Sequence, residues 1–155
     1  MTRTAILTDS TAYLSPEMVQ RYPIHVLPLK IHCDQETFLD GVEITPDEFY
    51  TKLNNGCALP TTSQPAVGEF AAVFQDLAED YDGVLVPLIS SGISGTVDSA
   101  LAAAAEVNDL EVEVIDSRIT SAGLALIVLQ AARALEKGAS LPETAQLSRR
   151  IADRV

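Results

Sequence analysis

The sequence predicts an α/β fold, a three-layer αβα arrangement on a mostly parallel sheet. Short strand-like runs, Ala5-Ile6-Leu7-Thr8, Gly83–Ile89 and Glu111–Ile115, alternate with longer stretches of helical periodicity. That alternation calls for parallel βαβ units with helices on both sheet faces. No repeat, low-complexity segment or internal linker interrupts it. The 155 residues, 1–155, therefore read as a single α/β domain, long enough to bury a core.

Each element has a local reason. The first strand ends in the polar turn Asp9-Ser10-Thr11, and Ser15 with Pro16 marks the N-cap and first turn of a helix reaching about Tyr22. Ile24 to Cys33 is β-like, and Pro28 inside it predicts an edge, bulge or break. Thr45-Pro46-Asp47-Glu48 is a capping-box start for a helix to about Asn54. Leu59-Pro60-Thr61-Thr62-Ser63-Gln64-Pro65 reads as a loop, with Pro65 in the first turn of the next helix. There Phe70, Val73, Phe74 and Leu77 form a core-facing stripe. After the Gly83–Ile89 strand, a helix from about Ser94 carries a second stripe of Val97, Ala100, Leu101 and Ala104. The strand Glu111–Ile115 runs into Asp116-Ser117. A helix from about Ala122 to Glu136 is apolar on all sides, which predicts cover on more than one face. Ser140 and Glu143 cap a last helix carrying Leu147 and Ile151, still open at Arg154-Val155, which suggests a missing C-terminal portion.

Composition removes several classes of function. Ten basic against 22 acidic residues give a net charge of −12, unsuited to nucleic acid or an anionic membrane surface. No signal-type apolar segment follows Met1, and no apolar run is long enough to span a bilayer, Leu124–Leu129 coming nearest. The expectation is a cytoplasmic protein without stable membrane insertion. Cys33 and Cys57 make neither a metal motif nor a disulfide framework and read as two reduced thiols.

Four hydroxyl-rich clusters remain: Thr8-Asp9-Ser10-Thr11, Thr61-Thr62-Ser63, Ser90-Ser91-Gly92-Ile93-Ser94 and Asp116-Ser117. Three end parallel strands, where ligands of open α/β sheets bind. Free N–H groups and hydroxyls at a helix start favour an anion. There is no Gly-x-Gly-x-x-Gly and no lysine-bearing phosphate loop. Gly92-Ile93-Ser94-Gly95-Thr96 lacks the second elbow glycine of a serine hydrolase. The two histidines, His25 and His32, read as partly buried or surface residues, and no cluster of Cys or His offers a metal site. The residues point to a cradle for a carboxylate or phosphate. A sugar-phosphate enzyme or sensor using Ser90–Thr96 and a hydrolase with Ser94 as nucleophile stay open as alternatives.

Thr8-Asp9-Ser10-Thr11-Ala12, Pro28-Leu29, Asp40-Gly41, Thr61-Thr62-Ser63-Gln64-Pro65, Ser90–Thr96 and Asp116-Ser117 stand in the order and spacing of the DegV family, which this chain resembles over nearly its whole length. Those proteins are bacterial fatty-acid carriers, the lipid-carrying subunit of fatty acid kinase. The resemblance implies the N-terminal domain type of that family, with no catalytic residues and no cofactor. It implies a bound long-chain fatty acid, and the catalytic subunit of a separate ATP-dependent kinase as partner. By motif, Thr62 and Ser94, assisted by the Gly95 amide, would hold the carboxylate. Ser63, Ser91, Ser10 and Thr11 would support the rim. Family chains are about twice as long, so their lipid-covering C-terminal domain is expected to be absent here.

Overall fold

The computed structural model describes residues 3–155. β1 (Thr4–Asp9) and β6 (Gly83–Leu88) are covered on both faces, which is why they read as almost unbroken apolar runs. They are the central strands of a four-stranded parallel sheet in the order β2-β1-β6-β7, with β2 at Ile24–Leu27 and β7 at Glu111–Asp116. The register sets Ile6 between Ile24 and Leu85. The period of two then divides the core. Leu7, Val84, Val86 and Leu88 meet Phe70, Phe74 and Leu77 of α3 (Val67–Ala78) and Val97, Ala100 and Ala103 of α4 (Thr96–Ala104). Ile6, Leu85 and Ile115 meet Leu124, Val128, Ala131 and Ala132 of α5 (Ser121–Glu136) and Leu141 and Ala145 of α6 (Leu141–Ala152). Each fully buried Leu, Ile, Val or Phe contributes about 1.5–3 kcal/mol. The three-layer αβα prediction holds.

The segment from Ile24 breaks at Pro28-Leu29, as the proline requires, and β3 (Lys30–Cys33) leaves the parallel sheet. It becomes the middle strand of a second, antiparallel sheet, β4-β3-β5, with β4 at Glu36–Leu39 and β5 at Thr61–Ser63. The expected loop at 61–63 is thus a strand, paired Ile31 to Thr62 and His32 to Thr61. α1 (Pro16–Arg21) and α2 (Pro46–Asn54) start at the caps Ser15 and Thr45, as expected.

Other expectations shift. Pro65 lies just before the α3 N-cap Ala66, and α4 begins at Thr96 with Gly95 as its N-cap. The α4 stripe runs through Ala103, while Leu101 is 52% exposed. α5 has the expected cover on more than one face, from the sheet and from α6, although Leu126 faces outward. On α6 the buried residues include Thr144 and Ser148 rather than Leu147 and Ile151. Their hydroxyls donate to the carbonyls of Ser140 and Thr144, so two small side chains pack without stranding a polar group. The helix closes at Ala152, before Arg154-Val155.

The cysteines are not separate thiols. The turn after α2 brings Cys57 to the end of β3, with the Cα atoms of Cys33 and Cys57 6.2 Å apart, and their sulfurs are joined. Among the described residues no helix is long and apolar enough to cross a membrane.

Candidate functional site

The strand order reverses direction between β1 and β6, and in such sheets ligands gather outside the carboxyl ends at that crevice. The β1–β6 pairing ends at Ile6 and Leu85. Beyond it stands Pro87, which has no N–H to offer. Side chains of β1 stitch the gap. Thr8 donates its hydroxyl to the Pro87 carbonyl at 2.8 Å, and the Asp9 carboxylate accepts the Ile89 N–H at 2.7 Å. Asp9 also accepts the Thr11 N–H at 2.9 Å and the Thr11 hydroxyl at 2.6 Å. Burial pushes the Asp9 carboxyl above its ordinary range, against the pull of the donors from Thr11 and Ile89. The sequence places Asp9 in the polar turn Asp9-Ser10-Thr11, and the structure adds this stitching role. Its signal was the apolar strand running straight into an acidic residue.

Beside this crevice lies a cavity of about 520 Å³, within the range of small-molecule sites. Its floor is Leu29, Ile31 and Ile89, and one wall is Pro46, Phe49 and Tyr50 from the α2 segment. Thr11, Tyr13, Asp40, Pro60 and Thr62 complete it. Burial, then the nearby Asp40, raises the Tyr13 phenol. Asp40 is the single charged residue in the lining. It follows β4, and Thr62 lies in β5, so the two sit on opposite flanks of β3.

The structure places the candidate residues differently around the cavity. Thr62 and Thr11 line the cavity together. Thr11 gives its hydroxyl proton to Asp9 and turns only lone pairs toward a ligand, whereas the Thr62 hydroxyl enters none of the side-chain hydrogen bonds among the described residues. Ser10 accepts the Leu29 N–H at 3.1 Å and braces the floor. Ser63 alternates to the opposite sheet face, where its hydroxyl meets His32 Nε2 at 2.8 Å, with Thr37 on Nδ1 at 2.9 Å. His25 is half-buried, edge-on to Tyr81.

Ser94 and Gly95 adjoin the cavity motif through Gln64. A Cβ on Gly95 would stand 2.6 Å from the Gln64 amide nitrogen, so the two loops meet at the end of the exposed Gln64 side chain. Ser94 Oγ accepts the Thr96 N–H at 3.3 Å and pairs with Thr96 Oγ1 at 2.8 Å. Thr96 is buried, so when its hydroxyl donates, Ser94 keeps its own proton for a ligand. Ser91 is outside this group, since its N–H and hydroxyl both go to the Asp116 carboxylate. Burial opposes ionisation of Asp116, but donors from Ser91 and Arg118 leave its carboxyl below the ordinary range.

Cys33, Asp34 and Cys57 form the one group of metal-ligand type among the described residues, their ligand atoms within 4.8 Å. The sulfurs are joined to each other, and Asp34 accepts the Ala58 N–H at 3.0 Å.

The family model described as an uncharacterised protein of the DegV family matches residues 3–155. Protein DegV of Bacillus subtilis is 40% identical over 139 residues, 90% of this chain and 50% of that protein. A fatty-acid-binding DegV family protein from Thermus thermophilus superposes with a TM-score of 0.91 at 38% identity, over 97% of this chain and 54% of that one. The crystal structure of DegV, a fatty acid binding protein from Bacillus subtilis, gives 0.94 at 34% identity, over 99% and 55%. The chain spans about half the length of the curated relatives it matches.

Proposed function

The chain belongs to the DegV family, and from that premise we propose that it binds a long-chain fatty acid and presents its carboxylate to a separate kinase for acyl-phosphate formation. The observation that carries the reading is the cavity itself: apolar floor and wall, with the uncommitted Thr62 hydroxyl on its lining. The tail occupies the space between Ile31, Ile89 and Phe49. Asp40 repels the carboxylate, which favours the Thr62 flank of β3.

There Thr62 and Ser94 donate their hydroxyls to the carboxylate, assisted by the Gly95 N–H at the positive end of α4. Ser10 and Thr11 hold the floor and the adjoining rim, and Ser63 and Ser91 brace the two loops from outside the cavity. Each buried methylene contributes about 0.8 kcal/mol, and each hydrogen bond to a charged group about 1.5–3 kcal/mol. Affinity therefore comes mainly from the tail, and position from the hydroxyls. On this reading the chain itself needs no acid, base or cofactor, and the chemistry belongs to the kinase.

Mass spectrometry of an organic extract of the purified protein tests the ligand class. A stoichiometric fatty acid is the expected result. A clean extract together with no saturable uptake of added oleate would overturn it. A phosphosugar that binds saturably would favour the sugar-phosphate reading instead.

A further inference from the structure

The Cys33–Cys57 link closes a ring of chain that contains β4 and the whole of α2. α2 has no buried side chain, yet its segment supplies Pro46, Phe49 and Tyr50 to the cavity wall. At nine residues it is too short to be stable alone. Its apolar side chains Phe49 and Leu53 are only half-buried, and its side-chain bonds are polar and peripheral. Lys52 pairs with Glu36 at 2.8 Å and lies 4.9 Å from the Phe38 ring centre, and Asp34 holds the Ala58 N–H. Exposed ion pairs of this kind contribute little. The link also joins two stretches of the lining: Ile31 precedes Cys33 by two residues, and Pro60 and Thr62 follow Cys57. Cys33 is 3% exposed, and Cys57 is the partly exposed member that a small thiol can reach.

From this placement we propose that Cys33 and Cys57 form a reversible thiol–disulfide modification site that latches the α2 wall and slows ligand exchange when oxidised. The ligand half of this inference rests on the fatty-acid reading; the restraint on α2 does not. The oxidant is a small-molecule disulfide such as oxidised glutathione. The Cys57 thiolate attacks one glutathione sulfur, breaking its S–S bond and releasing one glutathione thiol. The Cys33 thiolate then attacks Cys57 Sγ in the mixed disulfide and releases the second. The protein loses two electrons, glutathione disulfide gains them, and the two cysteine protons end on the two glutathione thiols.

The test compares the chain oxidised with glutathione disulfide, the chain reduced with dithiothreitol, and the Cys33→Ser/Cys57→Ser double variant, with thiol alkylation and mass confirming each state. Amide hydrogen exchange is followed over residues 46–54, and release of bound cis-parinaric acid is timed against excess oleate. Reduction is expected to speed α2 exchange about tenfold and parinaric acid release several-fold. The double variant should match the reduced chain under both conditions. Equal α2 exchange in the two redox states, or no cross-link in excess glutathione disulfide, overturns the latch. Equal release rates with altered α2 exchange overturn its control of the ligand. If neither state takes up parinaric acid, the fatty-acid reading fails, and α2 exchange alone decides the latch.

Discussion

In the parallel-sheet body Phe70, Phe74, Leu85 and Ile127 are completely buried, whereas α2 beside the antiparallel sheet buries none of its side chains. The body is held by apolar area removed from water on both sheet faces. The smaller module is held by strand pairing, a capping box at Thr45, the Lys30–Glu69 and Lys52–Glu36 pairs and one cross-link. The cavity lies where the two meet. A pocket wall of low intrinsic stability can move without cost to the fold, which is where ligand-gating segments are usually drawn from.

Four substitutions would break or sharpen that contrast. Phe74→Ala empties a fully buried ring site on the α3 face and should cost about 3–5 kcal/mol, read as a lowered urea midpoint for the whole chain. A loss under 1 kcal/mol would mean that the body is not the stability core. Thr62→Val keeps the shape and removes one hydroxyl, so folding stability should stay within about 0.5 kcal/mol. Fatty-acid affinity, titrated with cis-parinaric acid, should fall about tenfold or more through loss of a bond worth about 1.5–3 kcal/mol. Unchanged affinity would remove Thr62 from the headgroup site.

Gly95→Ala puts a methyl group against the exposed Gln64 amide, which has room to swing away. Melting should barely move while binding weakens several-fold, and Gln64→Ala added to it should restore binding. Failure of that rescue would separate the two loops functionally. The smallest effect belongs to Glu69, which Lys30 and the Ala66 N–H hold below the ordinary carboxyl range. A lowered folded value stabilises above the unfolded value and is lost as pH falls below it. Glu69→Gln should therefore flatten the stability–pH curve between about pH 5 and 3, by less than ~1 kcal/mol because the pair is partly exposed. Asp9, displaced the other way, contributes the opposite slope, its burial penalty easing as the solution is acidified.

The body was legible because its physics is local. Buried parallel strands read as apolar runs, and Ser15, Thr45 and Ser140 announce their helices through capping chemistry. The module was not. β5 is three residues long and contains only hydroxyls, and β4 is four residues with two polar followed by two apolar, so neither shows the alternation of a half-buried strand. Their pairing is fixed by β3, which Pro28 detaches from the parallel sheet. Cys33 and Cys57 stand 24 positions apart, and only the path through β4 and α2 joins them. Of the candidate site, the motifs pointed to Thr62 and to the loop at Ser94 and Gly95. They did not indicate that Thr11 and Ser91 commit their hydroxyls to Asp9 and Asp116, because those partners depend on tertiary distances.

β5 places Thr62 toward the cavity and Ser63 toward His32, and the alternation tolerates no change of length. Insertion or deletion of one residue between Pro60 and Pro65 would exchange the two hydroxyls and turn Gln64 away from Gly95. Length variation in this part of the chain should instead collect at Asn54-Asn55-Gly56, where the exposed turn after α2 absorbs an extra residue without altering any pairing.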